Sequence, residues 1–180
     1  MFGPTGTGVL YGKEEWLKSM PPYRFGGEMI RDVTFARTIF APIPHKFEAG
    51  TPNIAGVVTL ATAIDFVEKL GQNNIATHLQ NLLEIGVKKL QNIPGLEFYG
   101  QAVNKSGIIS FLIDGIHPHD LATVLGQQDI CIRAGHHCTQ PIMDFYDIPG
   151  TVRASFSVYN TIEDLEKLRQ GIFRAIEILK

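Results

Sequence analysis

The stretch IISFLI, residues 108–113, is an apolar run of strand length, and it predicts a strand in a central position of a sheet. Strand and helix patterns alternate on both sides of it. Residues 96–99, 130–133 and 151–158 predict further strands, and residues 120–127 predict a helix. Thr161 begins a last helix, with Asp164 three residues on in a capping arrangement. This alternation predicts an α/β or α+β sandwich from about residue 73 onward.

Two helix patterns precede that region. Residues 54–70 are rich in alanine and valine and apolar on all sides, which predicts a deeply buried helix that ends at Gly71. Apolar residues then recur at three- and four-residue spacing from Ile75 to Leu90, and Asn73 or Asn74 is expected to cap this second, amphipathic helix. A domain boundary is therefore expected near residues 71–74.

The first 53 residues are rich in glycine and proline. A glycine-rich turn at residues 3–8 leads into a strand-like piece at residues 9–11, and residues 13–20 predict a short helix. Residues 21–53 then hold only brief extended pieces, such as residues 29–35. A connection of this length is uncommon unless it carries function or lies against another chain.

Composition narrows the class of protein. Hydrophobic residues make up 44% of the 180 residues and charged residues 19%, which is typical of a globular and not a disordered chain. The formal net charge of -2 gives no reason to expect nucleic acid or an anionic membrane as a partner. No apolar run approaches the roughly 20 residues that span a bilayer. Without a signal-peptide pattern, and with two cysteines expected as free thiols, the sequence indicates a cytoplasmic protein.

The segment with the most chemistry is RAGHHCTQP, residues 133–141. Gly135 permits a turn after a strand, and Pro141 suits the first turn of a short helix that ends near residue 146. Cys138 would then precede a helix N-terminus, close to two imidazoles and a guanidinium (His136, His137 and Arg133). Each of these groups favours thiolate over thiol, so Cys138 is a candidate nucleophile. The alternative is an ordinary thiol in a loop with polar histidines.

The other cysteine and the histidines offer less. Cys131 falls inside a predicted apolar strand and is expected to be a small core residue. Three adjacent residues such as 136–138 cannot easily converge on one tetrahedral ion, and no paired-ligand spacing for zinc occurs. We therefore predict no metal site.

Two further positions are candidates for anion binding. Arg153 lies in a predicted strand, where an unpaired charge would be costly, so it should bind a carboxylate or phosphate, or else pair with a protein acid. Residues 47–53 precede a predicted buried helix, and the Thr51 hydroxyl with backbone amides such as that of Gly50 could bind a phosphate. A simple helix-entry turn is the alternative for that segment.

Several segments together resemble a known family. They are GPTGTG (3–8), FGGEMI (25–30), FEAGTP (47–52), RAGHHC (133–138), and RAS (153–155) followed by YNT (159–161). Their order and spacing resemble group II cysteine desulfurases of the Suf-type branch and the closely similar selenocysteine lyases. These are class V, fold-type I enzymes that depend on pyridoxal 5'-phosphate, and the likeness covers essentially the whole chain.

The resemblance implies a reaction and a set of partners. L-cysteine, or selenocysteine, would be converted to L-alanine while Cys138 becomes a persulfide, which a Suf-type acceptor protein takes for iron–sulfur cluster assembly. Arg153 matches the arginine that holds the substrate carboxylate. Thr51, next to Gly50, matches the threonine that reaches the cofactor phosphate of the other subunit in a homodimer. The remaining matches flank the active cysteine (Arg133, His136 and His137).

The resemblance also implies what lies outside these residues. In the family two residues separate the lysine that holds the cofactor from the Gly-Pro-Thr-Gly run. Here those two residues are Met1 and Phe2, so the lysine would precede Met1. Residues 1–72 would be the tail of the large cofactor domain and residues 73–180 the complete small C-terminal domain. We expect the chain alone not to be a competent desulfurase. The alternative functions are a non-catalytic sulfur carrier and a partner-binding or dimerisation domain.

Overall fold

A computed structural model describes residues 2–180, which form two compact units, one ending at Leu70 and the other spanning Gly71–Lys180. We describe each unit by itself. No helix within residues 2–180 is long and apolar enough to cross a membrane. The assignment of residues 1–72 to a large-domain remnant and 73–180 to a complete small domain stays a prediction.

The first unit contains little regular structure before its last helix. Helix α1 spans Glu14–Ser19, strand β1 (Ile30–Val33) pairs antiparallel with β2 (Thr38–Phe40), and α2 spans Ile54–Leu70. Both helix predictions are confirmed. The strand predicted at residues 9–11 is wrong: those residues are exposed and belong to no strand, and β1 and β2 pair with each other. A strand needs a neighbouring ladder for its backbone groups, and the described part of the unit offers none here.

Helix α2 is not deeply buried, contrary to its apolar pattern. Within it only Gly56 and Ala63 are buried, whereas Val58 is 66% exposed and Phe66 44% exposed. Asn53 begins the helix by accepting a hydrogen bond from the amide of Gly56 at 3.0 Å. The pattern predicted the helix correctly, but it cannot supply the second layer that an all-round apolar helix would need for burial.

The second unit is an antiparallel sheet with helices. Its elements are α3 (Gln72–Leu90), β3 (Leu96–Tyr99), β4 (Ile108–Ile113), α4 (Pro118–Gly126), β5 (Arg133–Gly135), α5 (Gln140–Tyr146), β6 (Thr151–Ser155) and α6 (Ile162–Leu179). The strand order is β3-β4-β6-β5, with antiparallel pairing throughout. The predicted mixed class and the interior position of β4 are confirmed.

The two faces of this sheet have different roles. Along β4, Ile109, Phe111 and Ile113 are buried and the residues between them are half-buried. The buried face joins a core with side chains from α3, α4 and α6, such as Leu90, Leu125 and Ile172 (in that order). Alternation along the strands sends Ser110 and its cross-strand neighbours to the opposite face. That opposite face carries the candidate site.

Some local features of the second unit were predicted correctly and others were not. Thr161 and Asp164 form the expected capping box of α6. The first residue before α3 is Gly71, with φ +80°, and not Asn73 or Asn74, which lie inside the helix. The strand predicted at residues 130–133 is displaced to 133–135, and Cys131 is exposed, so its predicted place in the core is wrong.

Candidate active site

The candidate nucleophile lies on a tight loop between β5 and α5, residues 136–139, which we call the cysteine loop. His137 and Cys138 are two consecutive residues with positive φ, +55° and +62°, which is rare and costly for residues other than glycine. Thr139 closes the turn by donating from its amide and its hydroxyl to the His136 carbonyl oxygen, at 2.9 and 2.7 Å. Helix α5 follows as predicted. The loop therefore presents an exposed Cys138 on a constrained backbone.

Two glycines allow this loop to approach strand β6. Gly135 has φ +118° and Gly150 has φ +139°. A Cβ atom on Gly150 would lie 2.9 Å from the carbonyl carbon of Gly135 and 3.0 Å from its oxygen. Because those atoms are backbone, they cannot move aside without displacing the start of the cysteine loop.

We expect Gly150→Ala to destabilise the second unit by about 2–3 kcal/mol, because the new Cβ meets backbone at a positive φ. Urea unfolding followed by circular dichroism measures the effect. Gly126→Ala is the matched control, since a Cβ there has nothing within 4 Å and α4 gains a better helix former. Equal unfolding midpoints for the two variants would contradict the close approach.

One positive group contacts the sulfur. Arg133 Nη2 lies 3.7 Å from Cys138 Sγ and donates to it, an interaction that stabilises negative charge on sulfur. No hydrogen bond within residues 2–180 joins either imidazole to Sγ. His136 and His137 flank the cysteine in the loop. However, neither imidazole contacts Sγ through a hydrogen bond, so the expected stabilisation of the thiolate by both rings is not seen.

The His137 ring is turned toward strand β6. Its Nε2 lies 3.0 Å from the carbonyl oxygen and 2.9 Å from the hydroxyl of Thr151. Burial lowers the pKa of His137 below its ordinary value; the hydrogen bond to Thr151 opposes this, and the charges of Arg153 and Arg133 add to it. The ring is therefore neutral at pH 7 and does not supply a positive charge to the sulfur.

Arg153 lies on the same sheet face as Arg133. The two residues are direct cross-strand partners in β6 and β5, and Ser110 of β4 is the neighbour of Arg153 on its other side. Like charges placed opposite each other are destabilising without a compensating anion. The Arg153 Nε is buried without a hydrogen-bond partner, and no ion pair within residues 2–180 involves Arg153. The alternative of a buried protein ion pair is thus not found.

The residues predicted to bind a phosphate, Gly50 and Thr51, lie in the first unit, just before α2. Gly50 has φ +78°, and its amide donates to the Gly27 carbonyl oxygen at 2.9 Å. That amide is therefore already used within the protein, whereas Thr51 is exposed and its hydroxyl has no partner in the described chain. Of the two residues, the Thr51 side chain is the one available to an incoming phosphate.

The geometry adds a residue that the sequence did not indicate, Thr151. It is the one polar or charged residue within residues 2–180 that is buried, at 2% exposure. A threonine at the start of a strand carries no functional signal in one sequence, so its contact with His137 could not be predicted. Among residues 2–180 no group of three or more histidine, cysteine, aspartate or glutamate side chains could hold a metal ion.

Comparison with known proteins places these features in a family. The aminotransferase class-V family model matches residues 1–168. A probable cysteine desulfurase from Xylella fastidiosa is 44% identical over 179 residues, and one from Vibrio cholerae is 45% identical over the same length. Each match covers 99% of this chain but only 43% and 44% of the respective relative. The chain thus spans less than half the length of these relatives.

Solved structures agree in fold. The cysteine desulfurase CsdA from Escherichia coli, in an S-sulfonic acid form, matches with a TM-score of 0.90 and 37% identity, covering 99% of this chain and 44% of that one. An apo cysteine desulfurase from Thermococcus onnurineus matches with a TM-score of 0.90 and 38% identity, covering 98% of this chain and 44% of that one. With a family match over residues 1–168, the chain belongs to the aminotransferase class-V family.

Proposed function

We propose that this chain is the part of a cysteine desulfurase that carries the nucleophile and the substrate-carboxylate group. The observation that carries the proposal is the arrangement of Arg133, Arg153 and Cys138 at the sheet face opposite the buried core. Arg133 donates to Cys138 Sγ, and directly opposite it stands Arg153, whose buried Nε lacks a partner. Relatives named as cysteine desulfurases are 44–47% identical over nearly the whole chain, which supports the same reading.

Arg153 binds the carboxylate of L-cysteine. Its planar guanidinium can hold a carboxylate with two parallel hydrogen bonds, and that contact satisfies the buried Nε. The bound carboxylate also offsets the repulsion between Arg153 and Arg133. Binding and orientation of the substrate are thereby coupled to relief of an unfavourable arrangement.

Cys138 accepts the sulfur. Its thiolate attacks the substrate sulfur, an S–S bond forms, and the substrate C–S bond breaks. The electron pair of the broken bond stays with the carbon fragment, which takes up a proton and leaves as L-alanine. The Arg133 guanidinium, which donates to Sγ, stabilises the negative charge of the attacking thiolate.

The residues present fit pyridoxal phosphate at its phosphate end, where the free hydroxyl of Thr51 can donate to it. When bound, this cofactor withdraws electron density from the substrate and so weakens its bonds. The chain spans 43–44% of the length of its relatives from Xylella fastidiosa and Vibrio cholerae, so the proposal assigns it only part of the cofactor contacts. The proposed assembly is a homodimer, with Thr51 facing the cofactor phosphate of the other subunit.

The finer assignment follows the short RAGHHC segment, which resembles the Suf-type branch. We infer that the persulfide passes to an acceptor protein of that type for iron–sulfur cluster assembly, with selenocysteine as a second substrate. Both cysteines are free thiols, which supports a reducing, cytoplasmic location.

The test compares the chain alone with a fusion in which it replaces the region of the Escherichia coli enzyme that it matches. Each is mixed with pyridoxal phosphate and L-cysteine, and alanine and persulfide are measured. The proposal predicts both products from the fusion and neither from the chain alone. Absence of alanine from a correctly folded fusion would contradict it. A persulfide formed on the chain alone from a separate sulfur donor would instead favour the sulfur-carrier function.

A further inference from the structure

In the contact between Thr151 and His137, the histidine is the hydrogen-bond donor and the threonine is the acceptor. A carbonyl oxygen can only accept, and the Thr151 carbonyl lies 3.0 Å from His137 Nε2, so Nε2 carries the proton. The Thr151 hydroxyl oxygen, 2.9 Å from the same nitrogen, shares that proton as a second acceptor. The other ring nitrogen, Nδ1, is then an unprotonated acceptor, and it is buried without a partner.

This contact joins the cysteine loop to the sheet. His137 and Cys138 both adopt left-handed backbone conformations, which cost about 1–3 kcal/mol each and persist only where surrounding contacts fix them. Gly135 is the register partner of Thr151, so the backbone of the loop leaves β5 beside the residue that holds the His137 ring. Because Cys138 is exposed, its own side chain adds little to fixing this conformation.

We propose that Thr151 is a positioning residue for Cys138. Its carbonyl and hydroxyl oxygens hold the His137 ring, and this contact keeps the His137–Cys138 pair in the conformation that brings Sγ within reach of Arg133. The inference rests on the proposed function only in taking Cys138 as the nucleophile. It gives His137 a role within the loop and not as a ligand of the substrate.

The test uses the 180-residue chain with Cys131→Ser, so that Cys138 is the only thiol. Thr151→Val removes the hydroxyl at nearly constant shape, and Thr151→Ser keeps it. The rate of Cys138 alkylation by iodoacetamide at pH 7 is measured by mass spectrometry. A long-range proton–nitrogen NMR spectrum reports which nitrogen of the His137 ring is protonated, with His137→Gln providing the assignment.

We expect Thr151→Val to slow alkylation about three- to tenfold, the effect of losing one hydrogen bond, while the backbone carbonyl of residue 151 keeps His137 in the Nε2–H form. Thr151→Ser should stay within about twofold of the parent chain and keep the Nε2–H form. A slow Ser variant beside a Val variant that reacts at the parent rate would show a packing effect of the threonine methyl and overturn the proposal. So would a Val variant that is alkylated at the parent rate, or a parent chain in which His137 is protonated at Nδ1.

A second pair of variants decides the matter if Thr151→Val does not fold. His137→Gln retains an amide donor that can reach the Thr151 carbonyl, whereas His137→Ala retains none. The proposal expects alkylation to be slowed in the Ala variant and largely kept in the Gln variant; the reverse order would overturn it. Alkylation needs neither cofactor nor substrate, so these results are independent of desulfurase activity.

Discussion

Alanine formation by the fusion enzyme should fall by about a thousandfold or more in Cys138→Ala, because the change removes the proposed acceptor of the substrate sulfur. The loss should appear in kcat, since the proposed carboxylate contact of Arg153 remains. Mass spectrometry of the protein should at the same time show no added sulfur. Alanine assays at saturating L-cysteine measure the first effect directly.

The matched control is Cys131→Ser. Cys131 is also an exposed free thiol. It lies just before strand β5, whereas Cys138 follows that strand. The Cys131 variant should keep both its rate and one persulfide per chain. A Cys138→Ala fusion that retains alanine production would show that the sulfur leaves without a protein nucleophile, and the assignment of Cys138 would be wrong.

Arg153→Gln should lower kcat/KM for L-cysteine by roughly 30- to 1000-fold, equivalent to about 2–4 kcal/mol, the usual cost of removing one partner of a buried charged contact. Most of the change should appear as a raised KM, because the carboxylate loses its guanidinium before the chemistry begins. Steady-state kinetics over a wide range of L-cysteine concentration separates the two constants.

Two further variants sharpen that result. Arg153→Lys keeps the charge but not the planar pair of donors, so it should recover only part of the loss. Arg174→Gln removes an exposed arginine from α6, on the other side of the core, and should change neither constant. An Arg153→Gln enzyme with an unchanged KM would exclude the carboxylate role, and the unpartnered Nε would then need another ligand.

The sequence predicted the elements of the second unit because their patterns are local. The apolar run of β4, the three- and four-residue spacing of α3 and the Thr161–Asp164 cap each specify one element without reference to distant residues. Pairing between strands is different, since it depends on tertiary contacts. The displacement of β5 by a few residues moved Cys131 out of the core and placed Arg133 opposite Arg153.

The candidate site was predicted in its residues and not in its arrangement. Cys138 and Arg153 were named from local chemistry and from the resemblance, and their roles remain proposals. The orientation of the His137 ring could not be predicted, because two successive positive φ values for non-glycine residues have no sequence signal. The buried partner of that ring, Thr151, was missed for the same reason.

The contrast between the exposed α2 and the well-packed sheet has a consequence for spectroscopy. The second unit buries a continuous core, whereas the first buries few large side chains, so the chain should not melt in one cooperative transition. The single tryptophan, Trp16, belongs to the first unit and is 60% exposed. Its fluorescence would report unfolding of the first unit alone and would not detect unfolding of the second unit, which holds Cys138.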